Sequence, residues 1–148
     1  MNQNRINEIT HSLLVSLAQL AFINEEMTYD LITDVDKLFL YITSKDKTVS
    51  LYNEIKFLLI HIKFEKIKNG EKFEFILENE ERFKNIYIKH LDVIDYVYEL
   101  LIKYNSDYEF YRTINFSFTF KDNITILKLK VKTEFENSEF IKELNGGS

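Results

Sequence analysis

The sequence has no Cys, no Pro and no Trp, and only three Gly in 148 residues. Without Cys there is no disulfide framework, no thiolate zinc site and no cysteine nucleophile. Two of the glycines, Gly146 and Gly147, sit in the terminal Asn-Gly-Gly-Ser, which leaves Gly70 as the one internal glycine. A phosphate-cradling loop of Walker or dinucleotide type needs several residues at positive φ or in close backbone approach to the ligand, so neither can be built. The three histidines, His11, His61 and His90, are too scattered to suggest a metal site by spacing. No run approaches the roughly 18 uninterrupted apolar residues of a membrane span, and Met-Asn-Gln-Asn-Arg lacks the basic start and apolar run of a signal peptide. These features predict a soluble, cytoplasmic chain with no membrane partner. A net charge of -5 argues against a general nucleic-acid binder, whose affinity rests on Lys and Arg neutralising phosphates.

What is present is ample core. The chain is 45% hydrophobic, with 13 Phe and 9 Tyr, and 29% charged, the balance of a folded domain of ordinary size. From Ile6 to about Phe22, apolar residues recur at Ile6, Ile9, Leu13, Leu17 and Leu20 and at Leu14, Ala18 and Ala21. This is an amphipathic helix with an unusually wide apolar face. Asn24 fits the N-cap of a second helix carrying Leu31, Val35, Leu38 and Ile42. The short connection predicts a helical hairpin. Beyond the polar segment 44–49, Ser50 fits the N-cap of a third helix with the stripe Leu51, Ile55, Leu58, Leu59 and Ile62, closed by Asn69-Gly70.

At Glu71 the period changes from 3.6 to 2. Phe73, Phe75 and Leu77 mark a strand, residues 85–88 a short strand, and Leu91, Ile94, Tyr98 and Leu101 a fourth helix ending near Asn105. Ile114, Phe116, Phe118 and Phe120 then alternate with polar residues up to Asp122-Asn123, a two-residue hairpin turn. That turn sets the register, placing Phe118 opposite Leu127, Phe116 opposite Leu129 and Ile114 opposite Val131 on one face. The polar run Glu134 to Glu143 reads as a short helix or a frayed tail. The aromatic run Tyr104, Tyr108, Phe110 and Tyr111 reads as cover for a sheet edge. The expected fold class is α+β: a helical hairpin over residues 1–46, an α/β module over 47–145 and a tail over 146–148. Because two helices bury little core by themselves, pairing of two chains into a dimeric four-helix bundle is the economical arrangement.

Several segments resemble the cytoplasmic part of sensor histidine kinases of the LytS type. Ile6-Asn-Glu-Ile-Thr-His-Ser-Leu-Leu-Val-Ser-Leu is similar to the family's dimerisation helix and puts His11 on the phospho-acceptor position. Val49-Ser-Leu-Tyr-Asn-Glu-Ile-Lys-Phe-Leu, running on to Phe64-Glu-Lys-Ile-Lys-Asn-Gly-Glu-Lys-Phe-Glu-Phe, resembles the helix and strand that lead into its ATP-binding domain. Thr113-Ile-Asn-Phe-Ser-Phe to Leu127-Lys-Leu-Lys-Val looks like the strands before the adenine-binding loop. The chain departs from the family where nucleotide is held. Glu99-Leu-Leu-Ile-Lys-Tyr-Asn has Leu100 at the magnesium-binding Asn, and Lys132-Thr133-Glu134 replaces the adenine-binding Asp-Asn-Gly. The resemblance therefore implies a degenerate, truncated kinase-like module with no ATPase or autokinase activity and no bound cofactor. Sporulation phosphotransferases share this plan.

By that resemblance His11 is the catalytic candidate. Its neutral imidazole would attack an aspartyl phosphate, with Mg²⁺ supplied by a partner receiver domain. On the helical wheel His11 shares a face with Val15, Ala18 and Phe22, the candidate partner-binding residues. Val15, Ala18 and Phe22 also fit plain core, with His11 a bystander. His61, beside Phe57, Leu58 and Phe64, reads as a packed histidine; His90, at the start of the fourth helix, has nearby backbone to bond; Glu99 reads as solvated or salt-bridged. Three functions follow: a homodimeric two-component protein that binds a response regulator and relays a phosphoryl group through His11 without ATP; a non-catalytic regulator that binds a kinase or response regulator; or a structural or interaction domain.

Overall fold

A computed structural model of the chain describes residues 3–21, 25–69, 73–77, 84–105 and 112–144. Four helices, α1 (Gln3–Ala21), α2 (Glu25–Ile42), α3 (Leu51–Asn69) and α4 (Asp92–Asn105), are joined by strands β1 (Thr48–Ser50), β2 (Phe73–Leu77), β3 (Tyr87–Lys89), β4 (Arg112–Lys121), β5 (Ile124–Thr133) and β6 (Asn137–Leu144). The fold is α+β. The larger sheet has the order β2-β4-β5-β6, with β2 parallel to β4 and the other pairs antiparallel. No helix among the described residues is long and apolar enough to cross a membrane. The expected caps Asn24 and Gly70, and Tyr108, Phe110 and Tyr111 of the aromatic run, lie outside the described residues.

The β4–β5 hairpin has the expected register, with Phe118 opposite Leu127, Phe116 opposite Leu129 and Ile114 opposite Val131. Asp122 and Asn123 both take positive φ, 51° and 63°. A two-residue turn whose twist matches the strands requires this, and Asp and Asn tolerate it better than most residues. The buried face is Ile114, Phe116, Phe118, Leu127, Leu129 and Val131.

Three expectations are corrected. The run Glu134 to Glu143 is neither a helix nor a frayed tail, because Asn137–Leu144 forms β6 on the edge of the sheet. Its period of two is masked by Ser138 and Lys142 on the core side; the Lys142 Nζ reaches past the core edge to Asp92 Oδ1 of α4 at 2.9 Å. The segment after α2 is not merely polar, since Thr48–Ser50 pairs antiparallel with Tyr87–Lys89 and buries Val49 against Ile88. Leu59, placed on the α3 stripe, is 41% exposed.

The third helix organises the rest. Ile55, Leu58 and Ile62 are buried on one side, while Phe57, Ile60 and Ile67 pack against the core from another, and α3 contacts α1, α2, α4, β1 and β2. A helix covered on two sides needs apolar residues around most of its circumference. Ile9 and Leu13 of α1 and Leu31, Leu38 and Ile42 of α2 join the same buried cluster as the sheet residues. The hairpin thus buries its inner side within the chain. Ser50 Oγ accepts from the Asn53 amide at 3.2 Å, the expected N-cap of α3.

Candidate functional site

His11 lies roughly 160° around α1 from Ile9 and Leu13, at 3.6 residues per turn. Those two leucine-type positions are buried, so His11 is exposed at the middle of the outer face. Ala18 is exposed beside it, Val15 is half-buried, and Phe22 lies outside the described residues. Leu14, expected on the apolar side, is 56% exposed. The outer side of α2 likewise presents Ile32, Phe39 and Leu40. The arrangement offers an imidazole on a rigid helix with small and apolar neighbours, able to meet another protein surface without rearrangement of the core.

One end of α1 is fixed by charge. Arg5 places Nη2 2.8 Å from Glu99 Oε1 and Nε 3.1 Å from Asp95 Oδ1, with its guanidinium carbon 5.0 Å from the centre of the Tyr98 ring. Glu99 is therefore salt-bridged, as expected of it, and its carboxylate is directed at α1. Leu100, at the position the resemblance assigns to a magnesium-binding Asn, packs against the core. Among the described residues no group of three or more His, Asp or Glu is arranged to hold a metal.

The most connected polar group is one the sequence did not point to. Leu91 accepts the first intrahelical bond of α4, from the Asp95 amide at 2.9 Å, and so occupies the N-cap position. A leucine has no side-chain acceptor for the orphan amides of a first turn, and Leu91 also takes the left-handed conformation, φ 68°. Glu54 of α3 supplies the cap instead. Its Oε1 accepts from the Leu91 amide at 3.2 Å, and its Oε2 from the Val93 and Ile94 amides at 3.1 and 3.2 Å. The Tyr41 hydroxyl of α2 donates to Oε1 as well. Burial pushes the Glu54 carboxyl pKa up, and this outweighs the Tyr41 hydroxyl and the three amides that hold it down. Burial and the neighbouring Glu54 together push the Tyr41 phenol far above its usual range. The detectable signal was a carboxylate between Leu51, Ile55 and Leu58 on the buried stripe of α3, where a charge needs a partner.

His90 completes this junction. Its Nε2 bonds the Tyr41 carbonyl at 2.8 Å, which makes Nε2 the protonated nitrogen, and its ring stands edge-on to Tyr41 at 4.8 Å. Burial pushes its pKa down. His61 is fully buried, 5.5 Å from the Tyr98 ring, with Nε2 3.7 Å from Glu65 Oε1. His61 is a packed residue, as expected, and His90 bonds backbone, as its position allowed. His11 is exposed and His61 buried, and among the described residues the three histidines form no common metal site. Compared with known proteins, the chain matches no family model and no curated protein.

Proposed function

We propose that the chain is a cytoplasmic two-component signalling protein, a degenerate relative of the LytS-type histidine kinases. In this reading it binds a response-regulator receiver and relays a phosphoryl group through His11 without ATP. The observation that carries the reading is the exposure of His11 at the centre of the outer α1 face, where a receiver can reach it. One imidazole nitrogen attacks the aspartyl phosphate; the P–N bond forms as the acyl P–O bond breaks, the aspartate leaves with the electron pair, and the imidazolium releases its other proton to water. Mg²⁺ and most of the charge stabilisation reside on the receiver. Val15 and Ala18 form the contact beside the histidine, and Phe22 is proposed as a further contact residue on the sequence alone. The hairpin pairs with that of a second copy as a four-helix bundle through the exposed Leu14, Ile32, Phe39 and Leu40, which leaves the His11, Val15 and Ala18 strip of α1 open to the receiver.

The test is transfer of label from a phosphorylated receiver to the purified chain. Label that appears on wild type and disappears in His11→Ala supports the relay; label retained by His11→Ala overturns it. A second reading, a non-catalytic partner of a kinase or receiver, is favoured by the exposed apolar side chains alone. It predicts binding that survives His11→Ala with no label on wild type. In this reading no nucleotide takes part, which is supported by Leu100 at the metal-binding position and the missing glycines, and a Mg²⁺-ATP titration reaching micromolar affinity would overturn it.

A further inference from the structure

A cleft of about 530 Å³ opens where the start of α1, the loop after α2 and the β3–α4 junction converge. It lies on a different part of the molecule from His11, since Gln3, at its rim, is about 12 Å along α1 from His11 at 1.5 Å per residue. We infer that this cleft binds a phosphate group bearing one P–O–H, with Lys47 and Lys89 on its charged oxygens and His90 Nδ1 accepting the hydrogen bond from its hydroxyl.

Charge is the first argument. In a chain of net charge -5, the cleft lining brings together Lys47 and Lys89 against the single acid Asp46. The Ser44 hydroxyl donates to Asp46 Oδ2 at 2.9 Å, which leaves the acid's charge in place and facing His90, so the balance of the lining is one excess positive charge. Among the described residues neither lysine forms an ion pair. Their positions are set by backbone: the His90 amide bonds the Lys47 carbonyl at 3.0 Å, and Lys89 pairs with Thr48 across β1–β3. Both lysines are thereby brought to the lining of one cleft.

The histidine supplies selectivity. With Nε2–H committed to the Tyr41 carbonyl, the neutral ring has its lone pair on Nδ1, and among the described residues Nε2 alone has a hydrogen-bond partner. Burial of the ring, which disfavours the imidazolium, keeps Nδ1 an acceptor at neutral pH. An acceptor beside two cations selects an anion that still carries a proton. Hydrogen phosphate does; sulfate, of the same shape and charge, does not. Ile6, Ile42 and Leu91 line the rest of the cleft, which is larger than a phosphate and has room for the organic part of a small ester. A second cleft, of about 480 Å³ around Tyr87 and Phe120, has one lysine and one aspartate in its lining, Lys121 and Asp122, and so lacks this charge bias.

The test is an NMR titration of the chain with inorganic phosphate at constant ionic strength and neutral pH, with sulfate and glycerol phosphate as parallel arms. Saturable shifts are expected at Ser44, Lys47, Lys89 and the His90 ring, with sulfate weaker by roughly fivefold or more. The exposed-residue variant Lys47→Met/Lys89→Met should remain folded and lose roughly tenfold in phosphate affinity. Glycerol phosphate, which at neutral pH is mostly the dianion without a P–O–H, should bind more weakly than inorganic phosphate, and tighter binding of it would overturn the role given to His90. Shifts that never saturate, an unchanged affinity in the double variant, or equal affinity for sulfate and phosphate would each overturn the assignment. None of these outcomes depends on His11.

Discussion

The two sides of the α1–α2 hairpin differ in how completely they are used. The inner side buries Ile9, Leu13, Leu31, Leu38 and Ile42, and at its end Tyr41 enters a network in which one hydroxyl, one carboxyl, three amides and an imidazole are all bonded. The outer side carries Leu14 at 56%, Ile32 at 51%, Phe39 at 42% and Leu40 at 66% exposure, with His11 among them. The solvent side of the sheet is mixed: β4 presents Thr113, Asn115, Ser117 and Thr119 there, while Ile76 at 37% and Ile141 at 61% exposure stand on the same face of β2 and β6. Folding alone accounts for the inner side. It leaves four large apolar side chains in water on one hairpin, which the proposed pairing of two hairpins would cover.

If the inner side is the fixed one, its network should be expensive to break. Glu54→Ala removes the acceptor for three amides and a phenol at once, and should cost about 3 to 5 kcal/mol in urea unfolding. A loss under about 1 kcal/mol would show that water replaces the carboxylate and that the junction is not the anchor argued above. Tyr41→Phe is milder. The ring keeps its stack on Phe57, at 4.1 Å between centres, and Glu54 keeps its three amides, so about 1 kcal/mol is expected from the lost hydroxyl. If that variant matched Glu54→Ala, the hairpin rather than the helix cap would be the dominant element.

The pH dependence follows from His90. Its pKa in the folded chain is pushed below the ordinary 6.5 by burial, so the unfolded chain binds the proton more readily. Its contribution to stability is complete above 6.5 and is lost as pH falls from 6.5 through the folded value. The raised Glu54 pKa acts with the opposite sign: its contribution is complete below the ordinary 4.5 and is lost as pH rises through the folded value. The informative quantity is therefore the difference between wild type and His90→Gln, which should narrow as pH is lowered below 6.5. A difference that stays constant would show that His90 does not titrate differently in the folded chain.

How much of this was legible in the sequence depended on whether a residue's role was local. The β4–β5 register could be read because Asp122-Asn123 and the alternating Phe, Ile and Leu residues act within one hairpin. The four helices could be read because each carries its own stripe. β6 was hidden because its core-facing positions include Ser138 and Lys142, whose burial depends on a neighbouring strand and on Asp92 of α4. β1 was hidden because three residues have no period, and Val49 matters only once Ile88 is opposite it. The exposure of His11 was implicit in the wheel, whereas Lys47, Lys89 and His90 meet only through the β1–β3 pairing. Glu54 stands as an acid on an apolar stripe, but its partners lie 13 to 40 residues away.

The smallest effect on folding should come from the outer side, and it separates the two sides most cleanly. Leu14, Ile32 and Phe39 are exposed and are not members of the buried cluster, so replacing them with Ser should change the unfolding free energy by no more than about 0.5 kcal/mol for each substitution. Such side chains can even improve the isolated chain, since apolar surface is withdrawn from water. If the outer faces of two hairpins form the proposed bundle, the same triple variant should sediment as a monomer at concentrations where wild type sediments as a dimer. Unfolding that is concentration-dependent in wild type should become concentration-independent in the variant. A wild-type chain that is monomeric throughout, with the triple variant still binding a receiver at full affinity, would remove both proposed uses of the face. A variant that unfolds by several kcal/mol as a monomer would instead show that these residues belong to the inner core, and the contrast between the two sides would fail.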